Sequence, residues 1–412
     1  MPVVAIDLDI GGGYTWAFSA YIVASLLATV VGGVWSDAAG PRDPLIASVV
    51  IFGIGATTAG LAGSMPVFVL GRAIEGLGGG VLIVGLYVVV ARAFSIEMRP
   101  RVFSVISASW VVPSVVGPLL AGWLADNLSW RAVFLLVPVV ILLPTILLFP
   151  TLKGLHQGVP QFDAGRRVLA GVLATAGLLA VQDGLLRLNT VGAMEALLGL
   201  LALVVGLRRL LPEGALRMRR GLPASVMMRG FLAASFFSAE VFIPLALVQQ
   251  RGVTTTGAGL VLAVSAGSWF VGSYAQSRLP GHDDRSRVVR IGSVIIAGAL
   301  LTLPFALMAG LPPWTAAISW AIASFGMGLA LPSVAVQVLR LSPEADQGAN
   351  SAAIQITDAV MSTLAISLLG VGYAAAVLGG GVSAQTYTLL WTCSAFLALA
   401  GALVAGRMRP AT

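Results

Sequence analysis

The 412-residue chain is a succession of apolar runs of about twenty residues, separated by short stretches that hold nearly all of its charge. The runs occupy residues 14–36, 44–63, 67–91, 102–125 and 130–149, then 168–186 and 191–211, then 230–249, 255–276, 288–309, 314–338, 349–377 and 386–405. Each is long enough to cross ~30 Å of hydrocarbon as a helix, and a helix satisfies its own backbone polar groups where no water can. Hydrophobic residues make up 58% of the chain and charged ones 10%, with a mean hydropathy of +0.96, more apolar surface than one soluble core of this length buries. The expected fold class is an all-α polytopic membrane protein, with no intervening stretch long enough for a separate folded domain. The 49 glycines fit that reading, because small residues let membrane helices approach closely.

A formal charge of +7 invites a nucleic-acid reading, but the basic residues lie in short loops rather than on one patch, so no nucleic-acid partner is expected. They report topology instead. With the turn at 33–45 in the cytoplasm, Arg131, Arg187 and Arg251 fall outside and Arg72 falls within a helix. All the other basic residues lie in cytoplasmic loops or at cytoplasmic helix ends, and the opposite orientation inverts the asymmetry. Cys393 is the sole cysteine, which excludes an internal disulfide, and His156 and His282 stand in separate loops, so no metal site is expected. The chain has no Gly-x-x-x-x-Gly-Lys sequence to hold ATP, and no cofactor is expected.

Against this apolar background a few polar residues stand out. In the turn Gly33-Val-Trp-Ser-Asp37-Ala-Ala-Gly40-Pro-Arg42, Gly33 permits close helix contact, Asp37 can cap or face a helix N-terminus, Gly40 allows a tight reversal and Arg42 is a cation. Arg72 and Glu75 share one turn of a membrane-length run, where they either neutralise each other or face water. Glu240 falls midway along its run and is the sharpest candidate to take and release a proton. Ser351, Gln355, Asp358 and Ser362 follow at steps of four, three and four, one face of a helix suited to a water-filled cavity or a polar seam. Asp183, near the end of its run, reads as structural.

The first ten residues are apolar but too short to span, and read as the end of a helix whose beginning is absent. Counting them, the segments number fourteen: six in residues 1–150, two in a linker at 151–225, and six in 226–412. The basic linker between the run at 191–211 and the run at 230–249 carries Arg217, Arg219, Arg220 and Arg229. A faint repeat links Gly33-x-x-x-Asp37 to Gly272-Ser-Tyr-Ala-Gln276 at the same place in each half. Parallel repeats of this kind build two-bundle transporters with the site at the repeat interface.

The turn at 33–45 resembles the loop between the second and third helices of major facilitator superfamily transporters. Arg72-Ala-Ile-Glu-Gly76, Pro113-Ser-Val-Val-Gly117-Pro118-Leu-Leu-Ala-Gly122 and Ser129-Trp-Arg-Ala-Val-Phe134 also match family motifs in order. Phe242-Ile-Pro-Leu-Ala-Leu247, Gln249-Gln-Arg-Gly252 and Ala258-Gly-Leu260 carry the resemblance to the fourteen-helix drug:proton antiporter branch. It implies two six-helix bundles plus two linking helices, a cytoplasmic gating latch at Gly33, Asp37, Gly40 and Arg42, and proton coupling that involves Arg72. It also implies an antiporter element at Gly117, Pro118 and Gly122. Ala38 and Pro41 replace usual basic residues, which implies a reduced latch, and Ala121 replaces a usual glycine. The function implied is proton-coupled efflux of hydrophobic or cationic small molecules by alternating access, in a monomer spanning the cytoplasmic (inner) membrane. The coupling candidates are Glu240, Asp358, Arg72 and Glu75; the cavity candidates are Gln355 and Ser362. A lipid or glycolipid exporter of the same fold is the alternative. An intramembrane aspartyl protease would need a motif such as Gly-x-Gly-Asp, which is absent.

Overall fold

The computed structural model describes residues 14–106, 109, 120, 124, 127–152, 164–187, 189–279, 284–379 and 381–409. Twelve helices among them are long and apolar enough to cross a membrane. In chain order they are α1 (Tyr14–Ala39), α2 (Arg42–Gly60), α3 (Met65–Ala93), α4 (Trp130–Leu148), α5 (Ala164–Arg187), α6 (Thr190–Leu210), α7 (Leu222–Arg251), α8 (Thr255–Ser277), α9 (Ser286–Thr302), α10 (Thr315–Leu341), α11 (Gln347–Leu378) and α12 (Ala384–Ala405). No strand occurs among the described residues. Of the remaining expected segments, residues 1–10 lie outside the described residues and 102–125 lie largely outside them.

Many large apolar side chains along these helices point outward, among them Leu143, Leu147, Leu197, Leu198, Leu260 and Leu403. Such faces are stable against lipid and not against water.

The described residues fall into two compact units. The first takes α1 to α4, α5 as far as Thr175, and residues Pro343–Ile356; the second takes the described parts of Ser95–Ser114, Ala176–Ser342 and Thr357–Thr412. The division therefore falls inside α5 and inside α11.

In the first unit α3 packs against both α1 and α2. Phe68, Trp130 and Phe134 meet edge to face with centroids 5.3–6.0 Å apart, over a buried cluster with Ala59 and Ala62. Arg131 lies over the Trp130 ring and donates to the Ala62 carbonyl just past α2. In the second unit α10 packs against α8, α9 and α7, and α12 packs against α9 and α7. Phe236 stacks on fully buried Trp320 at 4.2 Å.

Candidate functional site

Asp37 is the third residue from the end of α1 and is fully buried. Its carboxylate accepts the Gly348 and Ala349 amides at 2.6 and 2.8 Å, so it caps the exposed donors at the start of α11. One turn earlier, Gly33 brings α1 against the same helix: a Cβ there would lie 2.8 Å from the Ala352 Cβ and 2.9 Å from the Gly348 carbonyl. Arg92 and Arg167 add favourable charge around the carboxylate. Gly40 takes φ 81°, the left-handed conformation the reversal needs, and half-buried Arg42 opens α2.

In the same unit Arg72 pairs with Glu75 on α3, and its guanidinium lies 4.8 Å from the centre of the Tyr21 ring on α1. Glu75 is 2% exposed. The charge is thus neutralised within one turn and backed by an aromatic face.

Sequence reasoning placed Arg229 in a loop. The structure places it in the eighth position of α7, 5% exposed, because α7 begins at Leu222 with Pro223 in its first turn. Its Nε and Nη2 both reach Asp358 Oδ2 on α11, at 2.9 and 2.8 Å. A hydropathy count stops at the apolar run and misses two polar-edged turns below it. The signal that was present is Asp358 itself, a carboxylate in a membrane-length helix that demands a partner.

Glu240 lies eleven residues further along α7 than Arg229, roughly 16 Å along the axis and about 20° around it. It is half-buried, and no described residue forms a hydrogen bond or ion pair with it. Glu240 and the Arg229 that holds Asp358 therefore occupy separate places along α7. Of the remaining stripe, Ser351 is fully buried, Gln355 half-buried, and the Ser362 hydroxyl is spent on the carbonyls of Asp358 and Ala359 in its own helix. Asp183 pairs with Arg187, which also reaches Glu195 at 3.5 Å. Gly117, Pro118 and Gly122 lie outside the described residues.

The end of α7 was not singled out for chemistry, yet three consecutive side chains there reach α11, α12, the loop between them and the stretch after α9. Gln249 accepts the Tyr387 hydroxyl at 2.7 Å and bonds Tyr373, Gln250 donates to the Val382 carbonyl at 2.9 Å, and Arg251 donates to the carbonyls of Ala306, Met308 and Leu311. In the loop before α9, Asp284 accepts the amide and hydroxyl of Ser286 and the Arg409 guanidinium. Burial raises its carboxyl, but these donors together hold it below the usual carboxylate range.

The family model of the Major Facilitator Superfamily matches residues 1–366. The chain belongs to that superfamily. Among major facilitator relatives, an uncharacterized MFS-type transporter of Mycobacterium tuberculosis strain H37Rv is 25% identical over 90% of this chain and 55% of its own length. The multidrug transporter protein MdtP of Bacillus subtilis strain 168 is 24% identical over 90% of this chain and 70% of its own. The chain thus spans just over half the length of the mycobacterial relative. Solved major facilitator structures share the fold. The human organic anion transporter MFSD10 aligns with a TM-score of 0.71 at 15% identity, over 95% of this chain and 83% of that one. The proton:xylose symporter XylE aligns with a TM-score of 0.68 at 17% identity, over 99% of this chain and 90% of that one.

Proposed function

We propose that this major facilitator protein exports hydrophobic or cationic small molecules in exchange for protons, by alternating access in the cytoplasmic membrane. The observation that carries the reading is Glu240. A carboxylate inside a membrane-length helix, without a fixed cation or donor among the described residues, is neutralised by a mobile positive group. A proton and a cationic substrate compete for that role, and exclusion of one by the other, with different affinities in the two access states, is what exchange requires. The likeness to the multidrug transporter of Bacillus subtilis supports the substrate class.

Within this reading the chain belongs to the fourteen-helix antiporter branch. Bundles at 1–150 and 226–412 flank a linker at 151–225 that contributes α5 and α6. Asp37, Gly33, Gly40 and Arg42 form the cytoplasmic latch, Gly117, Pro118 and Gly122 the antiporter element, and the working unit is a monomer in the bilayer. Glu240→Gln in inverted membrane vesicles is expected to reduce pH-gradient-driven accumulation of a fluorescent lipophilic cation about tenfold or more, with insertion unchanged. Accumulation at the parent rate overturns the assignment.

A further inference from the structure

An arginine facing a carboxylate ordinarily offers one N–H to each oxygen. At Asp358 the Nε and Nη2 of Arg229 converge on Oδ2, while Oδ1 is buried and accepts no hydrogen bond among the described residues. The hydroxyl one turn on, Ser362 Oγ, is turned to backbone carbonyls. A desolvated acceptor with no donor is unfavourable, and a proton is the smallest group that relieves it.

The helices touch closely around this pair. Thr357 Oγ1 donates to the Val226 carbonyl at 3.1 Å, and a Cβ on Gly230 would collide with the Met361 sulfur and lie 3.0 Å from the Thr357 carbonyl. Arg229 is the charged group acting on Asp358 among the described residues. Loss of this attraction therefore removes the Arg229–Asp358 charge pairing from the α7–α11 contact and leaves packing and neutral hydrogen bonds such as Thr357 to the Val226 carbonyl.

We propose that Arg229 and Asp358 form a proton-operated lock between α7 and α11. A proton from water bonds to Oδ1, the carboxylate becomes a neutral carboxyl, and the guanidinium loses its counter-charge; deprotonation restores the grip. The proposal rests on the proton-coupled reading above and divides its labour: Glu240 meets the transported cation, and Asp358 works the helix.

The test uses the full chain in proteoliposomes with tetraphenylphosphonium as probe, measuring gradient-driven accumulation and gradient-free probe exchange. Asp358→Asn, Arg229→Gln and the double variant are expected to lose about tenfold in accumulation while exchange stays within about twofold, the double no worse than either single. A single neutralisation strands a buried charge, so the double variant, which strands none, decides the case where a single fails to insert. Accumulation at the parent rate in the double variant overturns the lock alone. Exchange lost together with accumulation makes the pair merely structural and also overturns it. Absence of probe-driven proton movement in the parent overturns the antiport reading, and the lock with it.

Discussion

Asp37 joins two residues more than three hundred positions away, and the join is electrostatic. Two amide bonds to a charged acceptor and the positive end of α11 act together, each contributing on the order of 1 kcal/mol net. Asp37→Asn keeps an acceptor but drops the charge, and is expected to lower stability by about 1–2 kcal/mol, while Asp37→Ala orphans both amides and lowers it by about 3. Thermal unfolding in detergent orders the two. Gly348→Ala acts on the same bond from the other side, since its Cβ would lie 2.5 Å from Asp37 Oδ1. Asp284 supplies a pH-dependent case. Its carboxyl is held low in the folded protein, so its contribution is present above the ordinary carboxylate range and disappears as pH falls through the lowered value. The melting difference between Asp284→Asn and the parent should therefore be present near neutral pH and vanish in acid. At this scale the sequence showed which residues were chemically expensive, Asp37, Glu75, Glu240 and Asp358 among them. It offered Arg72 as the partner of Glu75, three residues away, but not the partners of Asp37 and Asp358, because Asp37 caps α11 rather than its own neighbour α2, a choice made by tertiary packing.

The elements were legible wherever hydropathy alone sets them. The expected run 349–377 and the observed α11, Gln347–Leu378, nearly coincide, whereas α7 extends eight residues below its expected start because Arg229 is compensated by a residue of another helix. The α5–α6 pair shows a further feature hidden in composition. Gly177 faces Gly199 and Gly184 faces Gly192, each backbone against the other helix's backbone, at two levels seven residues apart. With no side chain to yield at either level, Gly184→Leu is expected to destabilise the hairpin by about 1–3 kcal/mol. Faster amide hydrogen exchange over residues 177–203, with the rest of the chain unchanged, would register it; an unchanged pattern would refute the seam.

For the whole molecule, the charge asymmetry that fixed orientation on paper can be read directly. On a Cys393→Ser background, cysteines at Asn189 or Leu311 should react with a membrane-impermeant maleimide in intact cells, and cysteines at Asp43, Glu213 or Asp284 only after permeabilisation. The reverse pattern inverts the topology. The class of the molecule was legible because thirteen separate runs repeat one constraint, length and apolarity, so single errors do not change the answer. The working residues were less so, because each depends on one neighbour. The cluster at the end of α7 adds a mechanical property. Gln249, Gln250 and Arg251 fasten that end to α11, α12, the loop between them and the stretch after α9, while nearer the other end Arg229 holds Asp358 ionically. α7 is 30 residues, about 45 Å, and Pro244 interrupts its hydrogen-bond ladder five residues before Gln249. With Gln249 to Arg251 held, a tilt of roughly 10° at Pro244 would leave that end in place and carry Arg229, about 22 Å away along the helix, through about 4 Å.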